Sequence, residues 1–405
     1  MELKGGYKQT DVGVIPEDWD IRTLDSIAQV TSGKRLPKGN QLTRYPNGHP
    51  YIRVKDMRMG FVAESDIRFV PIGVIDAIRS YRIFQNELAI SVAGTLGVVS
   101  RIGRSLHGAN LTENANRISP TNADPGYLFY QLSGSQIQRE IDEIKTVGAQ
   151  PKLALTRLRG FLIPFPSLKE QRAIAEVLSD VDAEMESLAQ RHEKLVAQKQ
   201  GLSKELLSGR TRLVEPKSRG FNQTDVGVIP EDWKWCQLGD VALVRKGELI
   251  RRADGEEGSV PVISAGKRPS FFHSQSNRTG PVVTISASGA NAGYVGLHEG
   301  EIFAADCSSI EAESDITTRF LGCYIQHKQQ DIYSLQEGGA QPHVQPPDII
   351  RIPVVVPPVL EQKLIVVLLG DVDAEIQAVA KLKAKLQAKK EGLMQTLLTG
   401  KIRLT

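Results

Sequence analysis

Apolar residues recur every three or four positions through residues 168–208. Ile174, Leu178, Val181, Met185, Leu188, His192, Leu195, Lys199, Leu202 and Leu206 fall on one seam. Adding 191 to each number gives a second seam: Ile365, Leu369, Val372, Ile376, Val379, Lys383, Leu386, Lys390, Leu393 and Leu397. Sustained 4-3 spacing predicts a long helix that buries a stripe against another helix. Each helix of about 40 residues would run about 60 Å at 1.5 Å per residue. Pro164, Pro166, Pro357 and Pro358 mark the approach to the helices. Ser167 and Glu170 have capping-box spacing, and Gly209 and Gly400 sit at the stop positions.

The remaining pattern is short β-runs and turns. Before the first helix, Pro50–Val54, Leu88–Val92 and Val98–Ile102 read as strands and Tyr127–Ile144 as a helix. Between the helices, Val260–Ser264, Pro281–Ser286 and Ala292–Leu297 read as strands, with a helix near Arg319–Tyr333. Ser91–Gly97 and Ser286–Gly293 occupy similar places, and their glycines suit tight turns between strands.

The chain repeats itself. QTDVGVIPEDW stands at Gln9–Trp19 and again at Gln223–Trp233. GAQP at Gly148–Pro151 returns at Gly339–Pro342, DVDAE at Asp180–Glu184 returns at Asp371–Glu375, and Arg212-Leu213 is matched by Arg403-Leu404. The frame is kept while the middles, residues 34–147 and 248–338, differ in length and nearly everywhere in sequence. This predicts a constant frame presenting two different recognition surfaces. Boundaries at 1–166, 167–213, 214–357 and 358–405 divide it into two globular domains, each followed by a helix.

Charge suggests how the helices pair. A parallel pair would set Lys199 beside Lys390 in one seam, at a cost in like-charge contact and desolvation. Each helix is acidic early and basic late, so antiparallel pairing sets unlike halves together. Crossing near the middles would lay Asp182–Glu186 along Lys381–Lys385, and Asp371–Glu375 along Arg191–Lys194. The expected fold is mixed α/β (α+β), with two globular domains alternating with two long helices in an antiparallel, pseudo-twofold coiled coil. Leu178, Val181, Met185, Leu188 and Leu195 are expected to pair with Leu369, Val372, Ile376, Val379 and Leu386.

Composition narrows the function. The 405 residues carry 50 basic and 47 acidic side chains, a net charge of +3 that neither demands nor excludes nucleic acid. The first middle holds 15 basic and 10 acidic residues, the second 7 and 12. Three cysteines, none in a C-x-x-C pair, argue against a disulfide framework and suit a reducing cytoplasm. No P-loop, H-E-x-x-H or Asn/Asp-Pro-Pro-aromatic tetrapeptide occurs, so ATPase, zinc-protease and amino-methyltransferase chemistry are not expected. Basic clusters follow the frame in both halves. Lys34, Arg35, Lys38, Arg44, Arg53, Lys55 and Arg58 form the first; Arg245, Lys246, Arg251, Arg252, Lys267, Arg268 and Arg278 form the second. Such side chains suit phosphates and guanine edges. Asn47, Asn110, Asn114, Asn116, Gln275, Asn277 and Asn291 are candidates for adenine edges.

The duplicated frame, two divergent modules and two long helices resemble the specificity (S) subunit of type I restriction–modification systems. VGVIPEDW at Val12–Trp19 and Val226–Trp233 is similar to the family's module-opening motif, Gly33 and Gly247 to its following glycine, and GAQP followed by Glu-Gln at the helix start to its conserved regions. The resemblance implies a non-catalytic subunit whose two target-recognition domains each read half of a bipartite, asymmetric site in double-stranded DNA. It implies helices that set the spacing and dock two modification (methyltransferase) subunits. Restriction (helicase-nuclease) subunits would complete the assembly, and S-adenosylmethionine, ATP and Mg would belong to the partners, with no cofactor or metal in this chain. No membrane association is expected. The competing reading is a coiled-coil scaffold that binds proteins without reading DNA sequence.

Overall fold

The computed structural model describes residues 5–145, 151–218, 220–251, 258–338 and 341–404. The chain divides into two compact units. Unit 1 comprises residues 1–188 and 382–405; unit 2 comprises residues 189–381.

Unit 1 opens with a hairpin, Tyr7–Thr10 with Gly13–Pro16, built from the repeated frame. Its main sheet is antiparallel, in the order Val99–Arg101, Leu88–Ser91, Ala115–Pro120, Ala28–Ser32. A smaller sheet orders Arg68–Phe69, Pro50–Ile52, Ala109–Leu111 and Arg82–Ile83, with one parallel pairing between Pro50–Ile52 and Ala109–Leu111. Ile90, Ile118, Tyr127, Leu128 and Tyr130 share a core that includes Ile174 and Leu178 of the first long helix and Leu397 of the second. The helix expected over Tyr127–Ile144 is two helices, Pro125–Ser133 and Ser135–Lys145. Gly134 interrupts them in an extended conformation and caps the first through its N–H to the Gln131 carbonyl.

Unit 2 repeats the plan. Its hairpin is Phe221–Thr224 with Gly227–Pro230. Its main sheet orders Ala242–Lys246, Cys307–Ala312, Pro281–Ser286 and Val295–Glu299, all antiparallel. Its smaller sheet has three strands, Phe271–His273, Val260–Ile263 and Phe303–Ala304. The last main-sheet strand begins at Val295 rather than Ala292, because Gly289–Asn291 forms a tight helical turn first. Much of the difference in module length lies between equivalent strands: unit 1 spends residues 53–87 there, unit 2 residues 264–280.

The long helices span Leu168–Leu207 and Val359–Leu397. Within each unit they run antiparallel. In unit 1, Asp182 pairs with Lys390 at 2.6 Å and Glu170 with Arg403 at 2.7 Å. In unit 2, Lys199 pairs with Asp373 at 2.6 Å and Arg191 with Glu375 at 2.7 Å. Of the two pairings suggested by charge, Asp371–Glu375 along Arg191–Lys194 is met by Arg191 on Glu375, but Asp182–Glu186 along Lys381–Lys385 is not. Asp182 meets Lys390 rather than the Lys381–Lys385 block, which is exposed. The seam sets the register: Leu178, Val181, Leu188, Leu195, Leu369, Val379 and Leu386 are buried, while Met185, Val372 and Ile376 are half-buried.

The helix ends carry the repeated frame. Glu170 is only half of a capping box: its N–H meets Ser167 Oγ at 3.3 Å, but its carboxylate turns inward. There it accepts bonds from both Arg403 Nε and Nη2 (2.7 and 2.9 Å) and from Trp19 Nε1 (3.2 Å). Arg403 also forks onto Asp18. The same joint recurs in unit 2, where Glu361 accepts from Arg212 (2.8 and 2.8 Å) and Trp233 (3.0 Å) and Arg212 forks onto Asp232. These pairs hold both guanidinium pKa values above their ordinary range, with the hydrogen bond to the buried glutamate as the main cause. Gly209 and Gly400 end the helices at φ +71° and +69°, and a Cβ at either would meet a proline ring at 2.5 Å.

Candidate nucleic-acid interface

The glycine that follows the frame in each copy builds the start of the site. Gly33 donates its N–H to the Ala115 carbonyl at 3.0 Å, and Gly247 donates to Cys307 at 2.8 Å. A Cβ at Gly33 would lie 2.1 Å from the Thr112 oxygen, and at Gly247 1.9 Å from the Ala305 oxygen. Only glycine lets the chain pass this close to the next strand's backbone before it turns outward into the basic loops.

In unit 1, Lys34, Arg35, Lys38 and Arg44 are exposed. Lys34 lies 5.6 Å from the Tyr81 ring centre, and Arg35 pairs with Glu113 at 2.6 Å. Lys55 and Arg58 line an open cleft of about 600 Å³ together with Met57, Val98, Thr95 and Asn114. Lys55 pairs with Asp66 at 2.9 Å, and its hydrogen bond leads the causes that bring the Asp66 carboxyl down to about 2. The Arg58 guanidinium donates to the carbonyls of Lys55 and Met57 at 2.8 Å each. In unit 2, Lys246, Arg251, Lys267 and Arg268 are exposed. Lys267 lies 5.7 Å from the Tyr294 ring centre, and Arg245 pairs with Glu311 at 2.5 Å. Asn291 is half-buried and closes a turn through its carbonyl to the Tyr294 N–H.

Several candidates are committed within the protein instead. Arg53 bonds the buried carboxylate of Asp56 through Nε and Nη2 at 2.8 and 2.7 Å. Arg278, 8% exposed, bonds Ser309 Oγ and the carbonyls of Asn277 and Lys246. Asn47 and Asn110 donate to the carbonyls of Val70 and Ile78 at 2.7 Å each. Asn277 both donates to and accepts from the Ala304 backbone, and Asn116 is buried in the main sheet. A cation or amide in a loop reads the same in sequence whether it faces solvent or fastens a turn. Arg252, Gly148–Gln150 and Gly339-Ala340 lie outside the described residues.

One pair of residues was visible only as a mismatch in the repeat. Lys152 and His343 follow the two GAQP strings at the 191-residue offset. Each bridges the glycine-rich turn of its own unit, Lys152 at Ala93 and His343 at Ser288. The turns are anchored alike, since Leu153 N–H meets the Val92 carbonyl at 2.9 Å and Val344 N–H the Ala287 carbonyl at 3.0 Å. Equivalent backbone sites thus present unlike side chains. Among the described residues, no group of His, Cys, Asp and Glu could hold a metal ion, and no helix is long and apolar enough to cross a membrane.

Residues 16–197 and 230–388 match the type I restriction modification DNA specificity domain, one match in each half of the repeat. The chain belongs to this family. The type I specificity domains in these two stretches account for the repeated plan and identify its role as DNA sequence specificity. Among relatives, the MjaVIII type I restriction enzyme specificity subunit of Methanocaldococcus jannaschii is 25% identical over 429 residues, covering 96% of this chain and 94% of its own. The MjaIX specificity subunit of the same organism is 29% identical over 269 residues, covering 64% and 60%. The crystal structure of the type I restriction-modification S subunit from M. genitalium superposes with a TM-score of 0.65 at 18% identity, covering 98% of each chain, and shares the fold.

Proposed function

We propose that each unit reads one half of a bipartite, asymmetric DNA site, and that the unbroken 40- and 39-residue helices act as the spacer between the half-sites. The observation that carries this reading is the pairing of one backbone plan with two sets of side chains. Asn114 and Lys152 in unit 1 stand where unit 2 has Asp306 and His343. Two copies of one reader with different side chains suit two different half-sites, with cations on phosphates and a few polar groups on base edges.

Catalysis is assigned to partners. On this reading the chain docks two methyltransferase subunits, and restriction subunits join them. S-adenosylmethionine, ATP and Mg act on those subunits in the cytoplasm. Equivalent clefts support a like partner on each unit. In unit 1, Gln387, Lys390 and Glu391 line a cleft of about 420 Å³; in unit 2, Val196, Lys199 and Gln200, each 191 residues earlier, line one of about 430 Å³.

The test is selection from randomised duplex DNA by the full chain with its co-purified methyltransferase. The expected result is a two-part sequence with a fixed gap. Exchange of residues 34–147 for another module should then change one half only. Selection of no two-part sequence in the presence of the methyltransferase, or a change in both halves, would refute the reading.

A further inference from the structure

Positions 114 and 306 are the same place in the two plans. The Asn114 carbonyl accepts from the Val92 N–H at 2.8 Å, and the Asp306 carbonyl accepts from the Ala287 N–H at 3.1 Å. The next carbonyl in each case, Ala115 or Cys307, accepts from the glycine that follows the frame, Gly33 or Gly247. Both residues therefore sit at the base of the glycine-rich turn, placed there by their backbone carbonyls. Asn114 is half-buried and lines the cleft with Lys55 and Arg58, and its amide makes no hydrogen bond among the described residues. Arg58 has no carboxylate partner among the described residues, so its charge is open to a phosphate. Asp306 is exposed, and its carboxylate accepts from the Ser288 hydroxyl, which orients it.

We infer that position 114 in unit 1 and position 306 in unit 2 are specificity-determining residues, reading an adenine in one half-site and a cytosine in the other. This rests on the half-site reading above. A free carboxamide both donates and accepts, matching the N7 acceptor and N6 donor that adenine presents together in the major groove. A carboxylate only accepts. It suits the lone N4 donor of cytosine and is repelled by an adjacent N7 acceptor. The neighbouring cation in unit 1, Arg58, fixes the strand on its phosphates without choosing a base.

The experiment repeats the duplex selection with the full chain and its methyltransferase, comparing wild type with Asn114→Asp, Asp306→Asn and Asn114→Ser. Asn114→Asp should turn one A·T pair of one half-site into C·G and leave the other half unchanged. Asp306→Asn should make the opposite change in the other half. Asn114→Ser, which keeps a small polar residue in the turn, should relax that base pair alone, with discrimination falling about tenfold to a hundredfold. Selected sequences identical to wild type for both exchanges would overturn the inference while the half-site reading stood. So would changes spread over both halves. A wild-type complex that selects no two-part sequence would overturn both.

Discussion

Arg212→Ala tests the joint between frame and helix. Glu361 has no exposed surface, and its carboxylate accepts four bonds: two from Arg212 at 2.8 Å, one from Trp233 at 3.0 Å and one from the Leu213 N–H at 3.3 Å. The substitution removes half of these and the cation that neutralises the buried charge. Breaking a buried pair from one side costs about 3–5 kcal/mol, because the remaining charge stays desolvated. For a unit of this size each kcal/mol is worth about 2–4 °C, so the melting midpoint should fall by about 6–20 °C. Thermal melts of the full chain read the total, and hydrogen exchange with mass spectrometry should locate the loss in residues 189–381. Arg403→Ala should do the same to unit 1 through Glu170. The double variant Arg212→Leu with Glu361→Leu should recover only part of the loss, since it removes the buried charge of Glu361 but leaves the Asp232 carboxylate without its cation and the Trp233 N–H without its acceptor. A single-variant loss below about 1 kcal/mol would show that the joint is not a structural keystone.

Reversing Lys390 alone should weaken unit 1 by about 1 kcal/mol, and adding Asp182→Lys should restore it, read as the coupling energy of a double-mutant cycle in urea. Reversing Lys381, Lys383 and Lys385 should change stability little, since all three are exposed. Gly33→Ala and Gly247→Ala should each cost about 1–3 kcal/mol or more in urea unfolding, because the added methyl meets a carbonyl oxygen. The arginine hydrogen bonds depress the Asp18 and Asp232 carboxyls below 3.8, so their contribution is complete above that pH and is lost as pH falls through the depressed values. Urea midpoints should accordingly drop more steeply below about pH 4 in wild type than in Asp18→Asn with Asp232→Asn. Burial pushes the Cys307 thiol up to about 12 and Cys323 up to about 11, so labelling by a thiol reagent at pH 8 should be slow until the chain unfolds.

The helices were legible because their signals are local. The 4-3 seam, the prolines before it and Gly209 and Gly400 after it lie within a few residues of what they determine. Main-sheet strands such as Pro281–Ser286 were legible for the same reason. The role of Arg403 was not, because its partners Asp18 and Glu170 lie 385 and 233 residues away. The repeat marked Arg212-Leu213 and Arg403-Leu404 as important without naming what they touch. Among the cations, Lys55 and Arg53 stand two residues apart in one motif, yet one rims a cleft and the other holds Asp56. That difference is set by which way each side chain leaves the turn. Charge blocks gave the direction of the helices and the Arg191–Glu375 pair, but not the Asp182–Lys390 pair, where the buried seam of Leu178, Leu188 and Leu386 fixes the offset.

Unit 2 is one continuous stretch, whereas unit 1 is split around it. This gives the protein an unusual timetable during synthesis. Trp19 is made early, but the guanidinium that completes its joint follows Glu170 by 233 residues. At about 5–20 residues per second that wait is roughly 12–47 s. Unit 2, although made later, has every residue of its own joint available first. The second unit to be translated is therefore the first that can close. Until residues 382–397 arrive, the first unit holds open the seam of Ile174 and Leu178 that they will cover, a window in which a nascent chain is most exposed to mispairing with a neighbour.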